Sequence, residues 1–182
     1  MSETIEDMLN TILKHEGGFV DDPNDRGGAT NFGITQATYS EWLGRKASVD
    51  EVRRMEIDTA KEIYRANYYF KPRINGFPEP TQPQVFDCAV NHGQRRAIKF
   101  VQTVINLADI DLIVVDGLNG PKTMKAAERA YAAMGDYFIN AIADERIDFY
   151  HRIVAHDSSQ KKFLKGWLRR ANSFKVKVED VA

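Results

Sequence analysis

Cysteine is nearly missing from this chain. Cys88 is the only one in 182 residues, so no internal disulfide can staple the fold, and no C-x-x-C or H-E-x-x-H spacing gathers the four histidines into a zinc site. Such a fold should tolerate a reducing cytoplasm. Long apolar runs are missing too. The opening MSETIEDMLNTILKHEGG starts acidic and lacks the apolar run of about 7–15 residues that marks a signal peptide, and no stretch nears the roughly 18 apolar residues of a membrane span. The longest apolar run, Leu112 to Val115, reads as a short buried segment. Excess charge of one sign is also lacking: 25 Lys and Arg against 26 Asp and Glu leave a formal charge of −1, which argues against a nucleic-acid partner held by bulk charge. Together these absences imply no metal or cofactor, no membrane insertion and synthesis in the cytoplasm; a monomer is the expected state. Such a chain needs help from elsewhere to reach anything outside.

What is present points to a packed, globular protein. Hydrophobic residues make up 43% and aromatic residues 10%, enough to bury a real core and to exclude wholesale disorder. The near-neutral total hides a gradient. Residues 1–50 carry nine acids against four bases, whereas residues 151–182 carry eight bases against three acids. The basic end reads either as solvated helix faces or as a surface suited to a polyanion.

Ile5, Met8, Leu9, Ile12 and Leu13 recur at helical spacing, and Gly17-Gly18 supplies the stop. From Phe19 to Thr35 a Pro-Asn-Asp-Arg-Gly-Gly cluster and Thr-Asn-Phe-Gly-Ile-Thr predict a small irregular hairpin, with a helix restarting near Thr35. Ser48 and Glu51 form a capping-box pattern, and Ala60, Ile63, Tyr64 and Asn67 mark a further helix ending before Pro72. Residues 75–84 hold three of the six prolines and predict a long loop, a candidate hinge, between lobes 1–84 and 85–182. Beyond it, helices are predicted from Val85, from Ala97 and from Pro121, then a long one capped by Asp136 and a last one capped by Ser158 or Ser159. The fold class is therefore mainly α, with one small β-hairpin insertion.

One residue breaks the pattern. Glu16 lies eleven positions after Ile5, about 20° from it around a helix, in the middle of the apolar stripe. A carboxylate there meets desolvation and the negative end of the helix dipole, and both push its pKa upward. Moving a Glu from ~4.3 to ~6 costs only about 2.3 kcal/mol, which suits a general acid. Asp25 follows after eight intervening residues and Thr30 after four more, with Gly27-Gly28 between them, so a returning hairpin would set a carboxylate and a hydroxyl opposite Glu16. Glycoside hydrolysis needs that set: one protonated acid for the leaving oxygen and a second carboxylate that activates water or attacks the sugar. Asp21 and Asp22 compete with Asp25 for the second part, and all three are also ordinary turn residues.

The segment His15-Glu16-Gly17-Gly18-Phe19, with Asp22-Pro23-x-Asp25-x-Gly27-Gly28-x-Thr30-x-x-Gly33-Ile34-Thr35, resembles glycoside hydrolase family 108, the N-acetylmuramidases found as phage endolysins and secretion-linked cell-wall hydrolases. The resemblance continues through Asp87, Asn91-His92-Gly93 and Gln102 to Trp167 and Arg169. It implies a lysozyme-like α+β fold with the hairpin beside the cleft, and a muramidase cutting the β-1,4 bond between N-acetylmuramic acid and N-acetylglucosamine. It puts the catalytic acid on Glu16. Phage-type lysozymes space their Glu, Asp or Cys, and Thr similarly, although here the gap before Thr30 is one residue shorter; by that pattern Asp25 is the second carboxyl and Thr30 a water-positioning hydroxyl. Phe100-Val-Gln102, Asn106, Asp116-Gly117, Gly120-Pro121 and Thr123 resemble small peptidoglycan-binding modules. Tyr39 and Trp167 are candidates to stack on sugars and Asn91 to offer an amide to them, though each also fits core or helix-cap duty. A lytic transglycosylase, a non-catalytic wall-binding protein and a chitinase are the competing readings.

Overall fold

The computed structural model describes residues 3–21 and 28–178, and Asp22 and Asp25 lie outside them. The chain divides into two compact units, Glu3–Tyr68 and the remainder from Tyr69. The fold is mostly helical with one two-stranded antiparallel sheet, the lysozyme-like α+β class.

In the first unit α1 (Ile5–His15) opens on a capping box, in which Asp7 N–H donates to the Thr4 hydroxyl at 3.2 Å and Thr4 N–H donates to the Asp7 carboxylate at 3.1 Å. Its stripe of Met8, Leu9 and Ile12 is buried, while Glu6 on the other side pairs with Lys61 and Arg65. After Gly17-Gly18, Val20 pairs with Thr30 through two 2.8 Å backbone hydrogen bonds. Strand β1 (Thr30–Asn31) then folds onto β2 (Ile34–Thr35). The two-residue turn has φ of 50° at Phe32 and 74° at Gly33, the left-handed pair that the twist of a tight hairpin demands. Thr35 caps α2 (Gln36–Leu43), and the Ser48–Glu51 box opens α3 (Val49–Arg53) as its spacing requires. Ala29, Ala47 and Val52 make a small core against which Phe19, Tyr39 and Leu43 pack, and the buried Asn31 amide donates to the carbonyls of Val52 and Arg53 at 3.0 and 3.1 Å. Helix α4 (Ile57–Tyr64) continues as a π-helical stretch, Arg65–Phe70.

The second unit begins with two 3₁₀ turns, Ile74–Gly76 and Glu79–Thr81, then α5 (Gln82–His92), α6 (Gln94–Leu107), α7 (Pro121–Met134), α8 (Asp136–His156) and α9 (Lys161–Asn172). The proline-rich stretch is thus a set of turns and a helix start rather than an open loop. Pro80 and Pro83 occupy first-turn positions that need no N–H donor, Pro78 caps the second turn, and Ile74, Phe77, Thr81 and Gln82 are buried. Asp136 is the first residue of α8 rather than its cap. Asp157 caps the turn before α9, in place of the expected serines.

The run Leu112–Val115 corrects an expectation. It is not buried: Leu112 is 91% and Val114 76% exposed. Polar side chains hold this loop out. The Asn106 amide donates to Ile113 C=O and accepts from Ile113 N–H, each at 2.9 Å. Gln102 Nε2 is shared by Asp116 Oδ1, Leu118 C=O and Thr123 Oγ1, and Gln102 Oε1 accepts from Gly117 N–H at 2.8 Å. Gly117, at φ 77°, lies where a Cβ would come within 2.6 Å of the Arg95 carbonyl. The Gln…Asp-Gly…Gly-Pro-x-Thr pattern is therefore a polar clasp that builds a loop.

Three helices of the second unit meet on a buried charge cluster. Asp87 (α5), 1% exposed, pairs with Arg146 (α8), equally buried, and with Arg170 (α9), each at 2.7 Å. Arg146 Nε donates to Tyr150 Oη at 2.8 Å, and Tyr150 Oη meets His92 Nε2 at 2.9 Å. Burial first, then the charge of Arg146, pushes His92 down to about 4. His92 is therefore neutral near pH 7 and shares a hydrogen bond with the Tyr150 hydroxyl. Cys88 beside it is buried and its thiol is pushed up to about 12 by that burial, so it packs rather than reacts.

Candidate active site

Glu16 follows the last helical residue of α1, but it does not continue the helix. Its backbone is extended, φ −87° and ψ 145°, so the helical-wheel position read from the sequence does not carry over. The side chain is half-buried. Its carboxylate reaches the hairpin turn: a Cβ built on Gly33 would collide with Glu16 Oε2, lie 3.0 Å from Glu16 Cδ and lie 2.5 Å from Tyr64 Oη. Carboxylate and phenol thus flank one point, which only a residue without a side chain leaves open. Tyr64, fully buried in α4, donates to Phe32 C=O at 2.7 Å and so anchors the turn from below. Tyr68 packs its ring on Tyr64 at 5.5 Å and is hydrogen-bonded to Thr38. Burial raises the Tyr68 phenol, against the Thr38 bond, and the charges of Glu41 and Glu16 act in the same upward direction, so it remains a protonated donor.

Thr30 stands in the same sheet segment, in register with Val20, four residues past Glu16; its hydroxyl is 3.5 Å from Gly28 C=O. Tyr39 packs on the Ala29, Ala47 and Val52 core. Asn91 is exposed at the end of α5 and its amide donates back to Asp87 C=O at 2.7 Å. Trp167 is stacked between Tyr150, at 5.1 Å, and Phe163, at 5.7 Å. The first unit therefore unites Glu16 with the Thr30 strand, whereas Asn91 and Trp167 are held by partners in the second. Asp25 lies outside the described residues, and among those described no cluster of His, Cys, Asp and Glu could hold a metal.

Comparison with known proteins adds a decisive likeness. The description "Glycosyl hydrolase 108" matches residues 9–93, and "Predicted Peptidoglycan domain" matches residues 96–172. The solved structure of SagA from Brucella abortus is 34% identical over 94% of this chain and 91% of that one, with a TM-score of 0.75. The chain belongs to the glycosyl hydrolase 108 family. It is a glycoside hydrolase, an N-acetylmuramidase acting on peptidoglycan. No curated protein matches it.

In this glycosyl hydrolase the support around Glu16 was only partly legible. Gly33 stands in the family motif without a role of its own, and Tyr64 reads simply as a core position of α4. The four-residue step from Tyr64 to Tyr68, two aromatics on one helical face, was the available signal. A Gly33→Ala variant tests the support. Alanine there must take φ 74° and drive its methyl into the Glu16 carboxylate and Tyr64 hydroxyl, so we expect a stability loss of about 1–2 kcal/mol and a kcat about 10²-fold lower on cell walls. Unchanged kcat in the folded variant would show that the turn does not seat Glu16.

Proposed function

We propose that Glu16 is the general acid of this muramidase, protonating the glycosidic oxygen of the β-1,4 bond between N-acetylmuramic acid and N-acetylglucosamine. Asp25 is the second carboxyl, activating a water or stabilising the oxocarbenium-like sugar, and Thr30 positions that water. The observation that carries the reading is the seat of Glu16: a half-buried carboxylate outside the helix, pressed to a side-chain-free turn whose neighbour Tyr64 is fixed by a 2.7 Å bond. Such a seat fixes the acid while the exposed Gly33 leaves its approach clear. The part of Asp25 rests on its spacing from Glu16 in the sequence. Release by a holin or an exporter, and action as a monomer, complete the reading.

The products discriminate this chemistry from transglycosylation, which needs no second carboxylate. Mass spectra of fragments released from purified sacculi should show reducing N-acetylmuramic ends, 18 Da heavier than 1,6-anhydro ends, about 18 being the mass of the added water. Anhydro ends as the main product would overturn the hydrolytic assignment, and reducing N-acetylglucosamine ends would overturn the choice of bond.

A further inference from the structure

A cavity of about 420 Å³ opens in the second unit, lined among others by Lys71, Arg73, Gln94, Arg95 and Asn119. It draws on both family matches: Lys71 and Arg73 lie in the hydrolase segment, Asn119 in the peptidoglycan-domain segment and Arg95 in the gap between them. Neither motif alone contains it.

Its chemistry is one-sided. Three cationic side chains line it and no carboxylate does. Lys71, Arg73 and Arg95 are all exposed, and among the described residues none of them is in an ion pair. Asp116 is the acid whose charge acts on Arg95, but its Oδ1 is engaged by Gln102 Nε2 at 2.9 Å and Leu118 N–H at 2.8 Å. Gln94 begins α6 and Gly120 caps α7, so the N-terminal ends of two 14-residue helices border the cavity and add to its positive field. Asn119, 8% exposed, holds the Arg73 carbonyl at 2.6 Å and fixes that residue at φ 58°. The Oδ1 of the same amide is buried with no hydrogen-bond partner. Unpaired cations at the N-terminal ends of two helices suit a ligand carrying carboxylates. In peptidoglycan the free carboxylates are carried by the stem peptide.

We propose that this cavity takes the carboxylate-bearing stem peptide of peptidoglycan, so that the enzyme holds the wall by its peptide while the first unit works on the glycan. The proposal rests on peptidoglycan being the substrate but not on Glu16 being the acid. Calorimetric titration of the full chain with a soluble stem tripeptide bearing free carboxylates tests it without any cleavage. The peptide should bind the wild type, more tightly at low salt, and a Lys71→Ala/Arg95→Ala variant about tenfold or more weakly. On walls, the wild type should show a KM about tenfold lower for peptide-bearing sacculi than for glycan strands stripped of peptide by an amidase, and the variant should lose that preference. No peptide binding by the wild type, or equal binding by both proteins, would overturn the proposal; so would a variant that keeps the preference. Should the double variant fail to fold, Arg95→Gln alone gives the same reading. A wild type that binds the peptide but cleaves neither substrate would instead count against the muramidase chemistry and leave the peptide site standing.

Discussion

A Glu16→Gln variant is expected to fold like the parent and to clear a cell-wall suspension about 10³-fold more slowly. Glutamine has the shape of glutamate, so it fills the same space against Gly33 and Tyr64 and disturbs no packing. What it loses is the transferable proton. General acid catalysis contributes typically about 10²–10⁴-fold, and a sugar leaving group without a proton donor forfeits most of that. The measurement is turbidity loss on purified walls alongside a thermal melt. A variant with the parental melting temperature and near-parental clearing would remove Glu16 from the chemistry. A variant that melts early would mean the carboxylate holds the turn in place, a structural duty the Gly33→Ala result would then share.

The second large effect is on stability, in the other unit. Replacing Asp87 with alanine is expected to cost about 3–5 kcal/mol, because it leaves the guanidiniums of Arg146 and Arg170 without their shared counter-ion. Arg146 is the worse off. It is 1% exposed, its Nη2 has no hydrogen-bond acceptor among the described residues, and beside Asp87 it meets Tyr150 and the ring faces of Tyr150 and Phe174. At a few degrees per kcal/mol for a chain of this size, the melting temperature should fall by about 10 °C. Thermal and urea unfolding measure it. A loss below about 1 kcal/mol would mean that water reaches the cluster and that the three helices are held chiefly by their apolar contacts. Because Asp87, Arg146 and Arg170 come from α5, α8 and α9, their pairing is also what sets those helices in one arrangement.

Local physics made much of this protein readable in advance. The stripe of α1, the Ser48–Glu51 box and the proline at the start of α7 are all consequences of residues at most a few positions apart. The candidate acid was singled out for a reason the structure replaces. Glu16 was placed by extending the helix of α1 one residue too far, and the extended backbone there shows that its burial comes from the hairpin, not from the helix face. The Leu112–Val115 run misled because hydrophobicity reports what a segment would bury if it could. Asn106 and Gln102 satisfy the backbone of that loop and so allow its side chains to remain outside.

By itself, then, the sequence determined the helical class, the hairpin and the family, and singled out Glu16 as the candidate acid, since each depends on spacing within a short window. Only the tertiary structure decided what stands against Glu16, what neutralises Asp87 and where three unpaired cations gather. Gly33 and Tyr64 are 31 residues apart, Asp87 and Arg170 are 83, and Lys71 and Asn119 are 48. Contacts at such separations are selected by the closing of the whole chain around its cores, and no local pattern encodes them.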